Sequence, residues 1–179
     1  MTDYVDNKKF YEEIKKYVEK YNEAEKNETK LPQLNDYLGM CFLEIATNLS
    51  HKRNFASYRY KEEMISDGYF DCVRYAHKFD PEKTKNPFSY FTQTCFYAFI
   101  RKIQKEKKYL YTKYKAIDNS EIFSMLHTHG DADDRSVAID IGYSESSREN
   151  MYSFIDEYEV KAKEKQISIK ENKAKKNEK

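Results

Sequence analysis

Apolar residues recur along this chain at spacings of three and four rather than two, which predicts a series of amphipathic helices. Phe10, Ile14, Tyr17, Val18 and Tyr21, with charges between them, predict a first helix from about Asp6 to Glu25. The polar run Asn22–Lys30, ended by Leu31 and Pro32, reads as a linker. A second helix should open at Asn35 or Asp36, since either side chain can accept from the free amides of a first turn. Its stripe of Leu38, Cys41, Phe42, Ile45, Ala46 and Leu49 is wide enough for a core helix. The polar, basic stretch Ser50–Tyr60 reads as a loop with the ring of Phe55 tucked in. A third helix from about Tyr60 to Phe79 carries Met64, Ile65, Gly68, Cys72, Val73, Ala76 and Phe79 at helical spacing. Gly68 costs that helix about 1 kcal/mol relative to alanine, so a close helix–helix approach is expected there. Asp80-Pro81 ends it, and Asn86-Pro87 reads as an N-cap followed by proline at the first helical position. The fourth helix runs from Phe88 to about Tyr114, aromatic at its start and basic at its end. Beyond Asp118 the pattern weakens. Ile122, Phe123, Met125 and Leu126 suggest one short helix and Asn150–Val160 another, with a polar, acidic, mobile stretch between.

Composition supports helices. Four glycines and three prolines in 179 residues leave few breakers, and the fold class expected is all-α, a compact helical bundle with a flexible C-terminal tail. The organisation expected is an N-terminal helix and linker over 1–30, a helical domain over 31–117, an acidic, partly ordered segment over 118–160 and a disordered lysine-rich tail over 161–179. Tyrosine alone counts 17, and each buried tyrosine hydroxyl needs a partner, so some of these rings should lie at surfaces that meet something flat or polar. Cys41, Cys72 and Cys95 are odd in number and widely spaced, which suits buried free thiols rather than disulfides or a zinc site. His127, His129, Asp131, Asp133 and Asp134 cluster, but their spacing fits neither an EF-hand nor a zincin, so no metal or other cofactor is expected. The N-terminus lacks an apolar signal region and no run approaches membrane-spanning length, so a cytoplasmic location is expected.

The net charge of +1 conceals strong segregation. Phe96–Lys115 holds seven Lys or Arg and one acid, Glu106, whereas Asp118–Glu159 holds eleven acids, two arginines and no lysine. Such blocks suggest a polyanion-binding face beside a part that avoids polyanions or meets a basic partner. The fourth helix offers no converging nucleophile, acid–base pair or metal ligands, so the chain does not read as an enzyme. It offers instead aromatics next to cations. Phe88, Phe91, Cys95, Phe99 and Ile103 fit a buried row, leaving Tyr90, Tyr97 and either Phe91 or Phe96 near the surface. Exposed rings beside cations suit an unstacked base, at about 1–3 kcal/mol of stacking per base; the bland reading makes them core and rim of a bundle. Arg101, Lys102, Lys105, Lys107, Lys108, Lys113 and Lys115 form a candidate phosphate ladder, where engaging about five phosphates gives a log–log salt slope near −4.5.

These segments also carry a resemblance. The run Glu63-Met64-Ile65-Ser66-Asp67-Gly68, the helix end Lys78-Phe79-Asp80, and Phe88-Ser89 before an aromatic helix follow, in order and spacing, region 2 of bacterial sigma factors, over about a quarter of the chain. The stretch Ser50–Tyr58, Lys85-Asn86-Pro87, Thr92-Gln93-Thr94-Cys95-Phe96 and the lysines after them look closest to the late-transcription sigma factors of T-even-type bacteriophages. The resemblance implies a factor that docks on core RNA polymerase and opens an AT-rich −10-like promoter element, whose TA steps are the easiest to unstack. It implies DNA contacts from Tyr90, Phe91, Thr92, Gln93, Thr94, Phe96, Tyr97, Arg101, Lys102, Lys105 and Lys108, with Phe91 at the family's base-stacking position. Thr94 and Cys95 stand where the family has two tryptophans, and Ala98 where it has a base-reading glutamine, so melting should lean on Phe91, Phe96 and Tyr90. Glu63, Ser66, Asp67 and Tyr69, with Glu62 and Asp71 added, occupy the face that in the family binds a coiled coil of the polymerase β′ clamp. No helix-turn-helix pattern follows Asp118, so help from a sliding clamp or coactivator is expected. Met151, Tyr152, Phe154, Ile155 and Tyr158 are the candidate clamp-binding anchors, with a helix packing back on the domain as the alternative. Two other functions fit less of this: a polymerase-binding inhibitor or adaptor that copies the sigma helix, and a regulator that binds duplex DNA alone.

Overall fold

The computed structural model describes residues 5–119 and 145–177. Every regular element among them is helical: α1 (Asn7–Lys26), α2 (Asp36–Ser50), α3 (Lys61–Tyr75) with a 3-10 turn Ala76–Lys78, α4 (Pro87–Asn119) and α5 (Glu145–Asn177). Local chemistry sets most of the ends. The Asp6 carboxylate accepts from the amides of Lys8 and Lys9 at 3.0 and 3.2 Å and starts α1. That helix stops where Glu28 turns left-handed (φ 51°), with the Thr29 amide donating to the Ala24 carbonyl at 2.9 Å. This is the Schellman arrangement, built here without glycine. Asn35 Oδ1 accepts from the Leu38 amide at 2.8 Å and starts α2, and Asn86 Oδ1 does the same for Ser89 at 3.1 Å at the head of α4. Asp80 closes the intervening loop by accepting from the amides of Glu82 and Lys83.

The chain divides into two units, Met1–Gln104 and Lys105–Lys179. The first has a core of Phe10, Phe42, Phe79, Phe91 and Phe99, all at most 1% exposed, with Ile14, Leu38, Ile45 and Met64 around them. Because Phe10 packs at 5.9 Å from Phe42 and 5.6 Å from Phe91, α1 belongs to this unit and is not a separate N-terminal piece. The boundary falls inside α4, at Gln104, rather than at residue 118. Gly68 is the tightest point. A Cβ there would lie 2.9 Å from Phe99 Cε1, 3.5 Å from Cys95 Sγ and 3.6 Å from the Ala46 Cβ, so the missing side chain is what lets three helices meet. All three cysteines are buried and free. The Cys72 and Cys95 sulfurs lie 3.3 Å apart, and that hydrogen bond, with burial second, pushes the Cys72 thiol up and away from the reactive thiolate.

In the second unit the distal part of α4 pairs antiparallel with α5. Tyr111 stacks on Tyr158 at 4.4 Å, Tyr114 meets Phe154 edge-on at 5.6 Å, and the Tyr152 hydroxyl donates to Asp118 at 3.0 Å. Met151 and Ile155 are buried along the same helix. Glu159 accepts from the Tyr111 hydroxyl at 3.0 Å and pairs with Lys115 at 3.2 Å. Those two hydrogen bonds, Tyr111 first, hold its carboxyl below the usual glutamate range. The stretch 161–177, expected to be disordered, continues α5 instead. Lysine, glutamate, glutamine and alanine are all good helix formers, and neither glycine nor proline interrupts them. The expected short helix at 122–126, the mobile acidic stretch and the His127–Asp134 cluster lie outside the described residues. Among those described, no helix is long and apolar enough to cross a membrane.

Gly68→Ala should therefore destabilise the first unit by about 1–3 kcal/mol through overpacking against the Phe99 ring, overriding alanine's better helix propensity. Urea unfolding followed by circular dichroism checks this; unchanged or higher stability would show that the approach is loose.

Candidate nucleic-acid interface

The fourth helix sorts its residues by angle. Phe91, Cys95, Ala98, Phe99 and Ile103 face inward and are buried. Phe91 is 0% exposed, with its ring 4.5 Å from that of Phe42 and 6.0 Å from that of Phe79. The sequence expectation that Phe91 stacks on a base is therefore corrected. Its ring is the middle of the core and cannot meet a nucleotide without opening the bundle. Tyr90 is half-buried, edge-on to Phe79 at 5.4 Å and Phe91 at 5.0 Å, and burial pushes its hydroxyl up. Thr94 caps its hydrogen bonding on the Tyr90 carbonyl at 3.0 Å.

On the flank about 100° around the helix from Phe91, a groove of about 440 Å³ opens, lined by Leu49, Phe88, Ser89, Thr92, Gln93, Phe96 and Tyr97. Phe96 and Tyr97 are 39% and 52% exposed. Phe55, tucked under from the 51–60 loop, meets Phe96 edge-on at 5.7 Å and props it outward. Gln93 Nε2 donates to the Tyr97 hydroxyl at 3.4 Å, which ties a polar edge to an aromatic one. Among the described residues, Thr92 Oγ1 is the one buried side-chain polar atom without a hydrogen-bond partner. An unsatisfied buried hydroxyl costs about 1–3 kcal/mol. The structure thus gathers four of the expected DNA-contacting residues, Thr92, Gln93, Phe96 and Tyr97, into one groove and leaves Tyr90, Phe91 and Thr94 outside it. Leu49, Phe88 and Ser89 were missed as lining residues, although the spacing of 88–89, 92–93 and 96–97 is itself a helical stripe.

The cations do not form one uniform row. Arg101 is drawn to α3 by an ion pair with Asp71, so the guanidinium expected on a phosphate is engaged within the first unit. Lys102 is half-buried, whereas Lys105, Lys107 and Lys108 are exposed on the part of α4 that belongs to the second unit.

On α3, Glu62, Glu63, Ser66 and Asp67 are exposed, Tyr69 is half-buried and Asp71 is held by Arg101. Phe70, which sequence reasoning passed over, stands 67% exposed beside them. It lines a groove of about 610 Å³ with Asp67, Asp71, Val73, Arg74, Ala98 and Arg101. A large exposed apolar ring in a surround of mixed charge has the make-up of a protein-docking anchor. The candidate clamp anchors, by contrast, are turned inward. Met151 and Ile155 are 2% and 3% exposed, and Tyr152, Phe154 and Tyr158 are engaged with α4 inside the second unit. This correction follows from their helical spacing, which places all five toward the helix they pair with.

No protein-family model and no curated protein matches this chain.

The geometry separates stability from contact. Phe91→Ala should cost about 3–5 kcal/mol in urea unfolding, the usual penalty for emptying a core phenylalanine site, whereas Phe96→Ala should cost under about 1 kcal/mol. Equal penalties would place Phe96 in the core and remove it as a contact residue.

Proposed function

We infer that this chain is a sigma-type specificity factor of the late phage kind, which binds core RNA polymerase through α3 and helps open an AT-rich −10-like promoter element. The observation that carries the reading is the groove on α4, where Phe96 and Tyr97 present aromatic surface beside the polar groups of Thr92 and Gln93. An unstacked base needs a ring to stack on and hydrogen-bonding groups at its edge, at about 1–3 kcal/mol per stacked base. Phe96 with Tyr97 takes over the role that the resemblance assigned to Phe91. Lys105 and Lys108 contact phosphates, which position the strand without reading it. Glu62, Glu63, Ser66, Asp67 and Phe70 meet the β′ clamp coiled coil. Stacking on one groove is too weak to separate a duplex alone, so opening depends on the polymerase, with a sliding clamp or coactivator as further partners.

A second reading is favoured by Phe70. An exposed ring among paired charges would equally serve an adaptor that occupies the polymerase dock without opening DNA. Transcription in vitro with core polymerase, with and without the protein, distinguishes them. Promoter-specific initiation from an AT-rich −10-like element is expected. Phe96→Ala combined with Tyr97→Ala should reduce opening on linear templates by about tenfold or more, in line with losing a stacking contact, while polymerase co-purification persists. Asp67→Lys should abolish co-purification and leave the fold intact. Suppressed transcription with no promoter-specific product would establish the adaptor instead.

A further inference from the structure

The Asp71–Arg101 ion pair ties the docking face of α3 to the DNA face of α4. Asp71 lines the docking groove beside Phe70 and Asp67, and Arg101 reaches it there from the neighbouring helix. On α4 itself, Arg101 follows Tyr97 by four residues, as Tyr97 follows Gln93. The three therefore lie in a row along one side of the helix, about 6 Å apart per step. Gln93 and Tyr97 line the base groove, so the ion pair draws the third member of that row onto the docking face. The pairing is partial. It uses Nη2 of Arg101, whose side chain stays 58% exposed against 18% for Asp71. A guanidinium carries five N–H donors, and most of those on Arg101 have no partner among the described residues. Release would not strand the carboxylate, because Arg74 lines the same groove three residues further along α3. Gly68 keeps the two helices together in either arrangement. A partly exposed ion pair is worth at most about a fivefold change in an equilibrium, small enough for a phosphate or a partner's cation to exchange with it.

We propose that Asp71 is a switch between the two faces. In the free protein it holds Arg101 on the docking side. A cationic side chain of the docking partner, seated beside Phe70, takes over the Asp71 carboxylate. Arg101 is then free to hold a backbone phosphate next to the base on Tyr97, a contact that its planar fork suits. Docking on α3 thereby strengthens the hold on DNA, and by linkage DNA strengthens docking by the same factor. This coupling rests on the functional reading given to both faces and supplies the pair of residues that links them.

The test uses the full chain and fluorescence anisotropy of a single-stranded, AT-rich −10-like oligonucleotide, with and without core polymerase. Asp71→Asn keeps the shape of the side chain and removes its charge. In the free protein it should raise affinity for the oligonucleotide by about fivefold. In an Arg101→Gln background the same change should have no effect, because no guanidinium remains to be released. Arg101→Gln alone should matter little to the free protein and weaken binding about fivefold in the polymerase complex. Circular dichroism melting checks that the variants stay folded. An equal gain from Asp71→Asn in both backgrounds would overturn the switch, reducing it to relief of repulsion between a carboxylate and a phosphate. No gain in either background would overturn it outright. Binding that is lost with Phe96→Ala and Tyr97→Ala together, yet ignores Asp71→Asn, would overturn the switch and leave base capture standing. An Arg101-dependent gain that survives those two changes would support the switch and remove base capture.

Discussion

Three helices of the first unit meet at a point where only a hydrogen atom fits. At Gly68 the backbone of α3 lies against Phe99, Cys95 and Ala46, and no side chain could be accommodated without displacing a buried ring. That approach fixes the rotation of α4. With Cys95 and Phe99 against Gly68 and Phe91 wedged among Phe10, Phe42 and Phe79, the inner face of the helix is fully assigned. Because successive residues turn by about 100°, Thr92 and Phe96 are carried to the rim, and Gln93 and Tyr97 beyond it. The groove proposed to receive a base is thus a by-product of core packing. It needs no strained backbone, since its walls are the neighbours of the residues that seal the bundle.

The same approach links the two surfaces to which function is assigned. The exposed side of α3, with Asp67 and Phe70, and the groove side of α4 belong to helices locked together by Gly68 and by the Asp71–Arg101 ion pair. A protein that grips a polymerase with one helix and a nucleotide with the next benefits from a joint without slack, because a base pulled from its stack must be held in a defined position relative to the enzyme that will copy it. The second unit has a different character. Its tyrosine-rich seam and the Glu159 bridge pair α5 with the distal part of α4.

Much of the fold was legible because it depends on local periodicity and caps. The amide acceptors Asn35 and Asn86, the buried row through Phe91, Cys95, Phe99 and Ile103, the three buried thiols and the close approach at Gly68 all follow from residue type and spacing. What was not legible depends on rotation and on distant partners. Periodicity allowed either Phe91 or Phe96 to reach the surface. The choice was made by Phe10 and Phe42, which lie on other helices and cannot be weighed from the local pattern. Arg101 read as a phosphate contact because its ion-pair partner lies 30 residues away. The anchors from Met151 to Tyr158 read as clamp-binding positions, with packing back on the domain as the alternative, because their helical spacing does not name the surface they cover. The lysine-rich end read as disordered on composition, although every residue in it is compatible with helix.

The central claim is that a base leaves its stack and settles against Phe96 and Tyr97. Photo-crosslinking measures this most directly: 5-iodouracil is placed in turn at each thymine of an AT-rich −10-like element, the protein–polymerase complex is irradiated, and the attached residue is mapped by mass spectrometry. The account predicts that one position crosslinks strongly to Phe96 or Tyr97. Crosslinks confined to residues outside the Phe88–Tyr97 segment would contradict it.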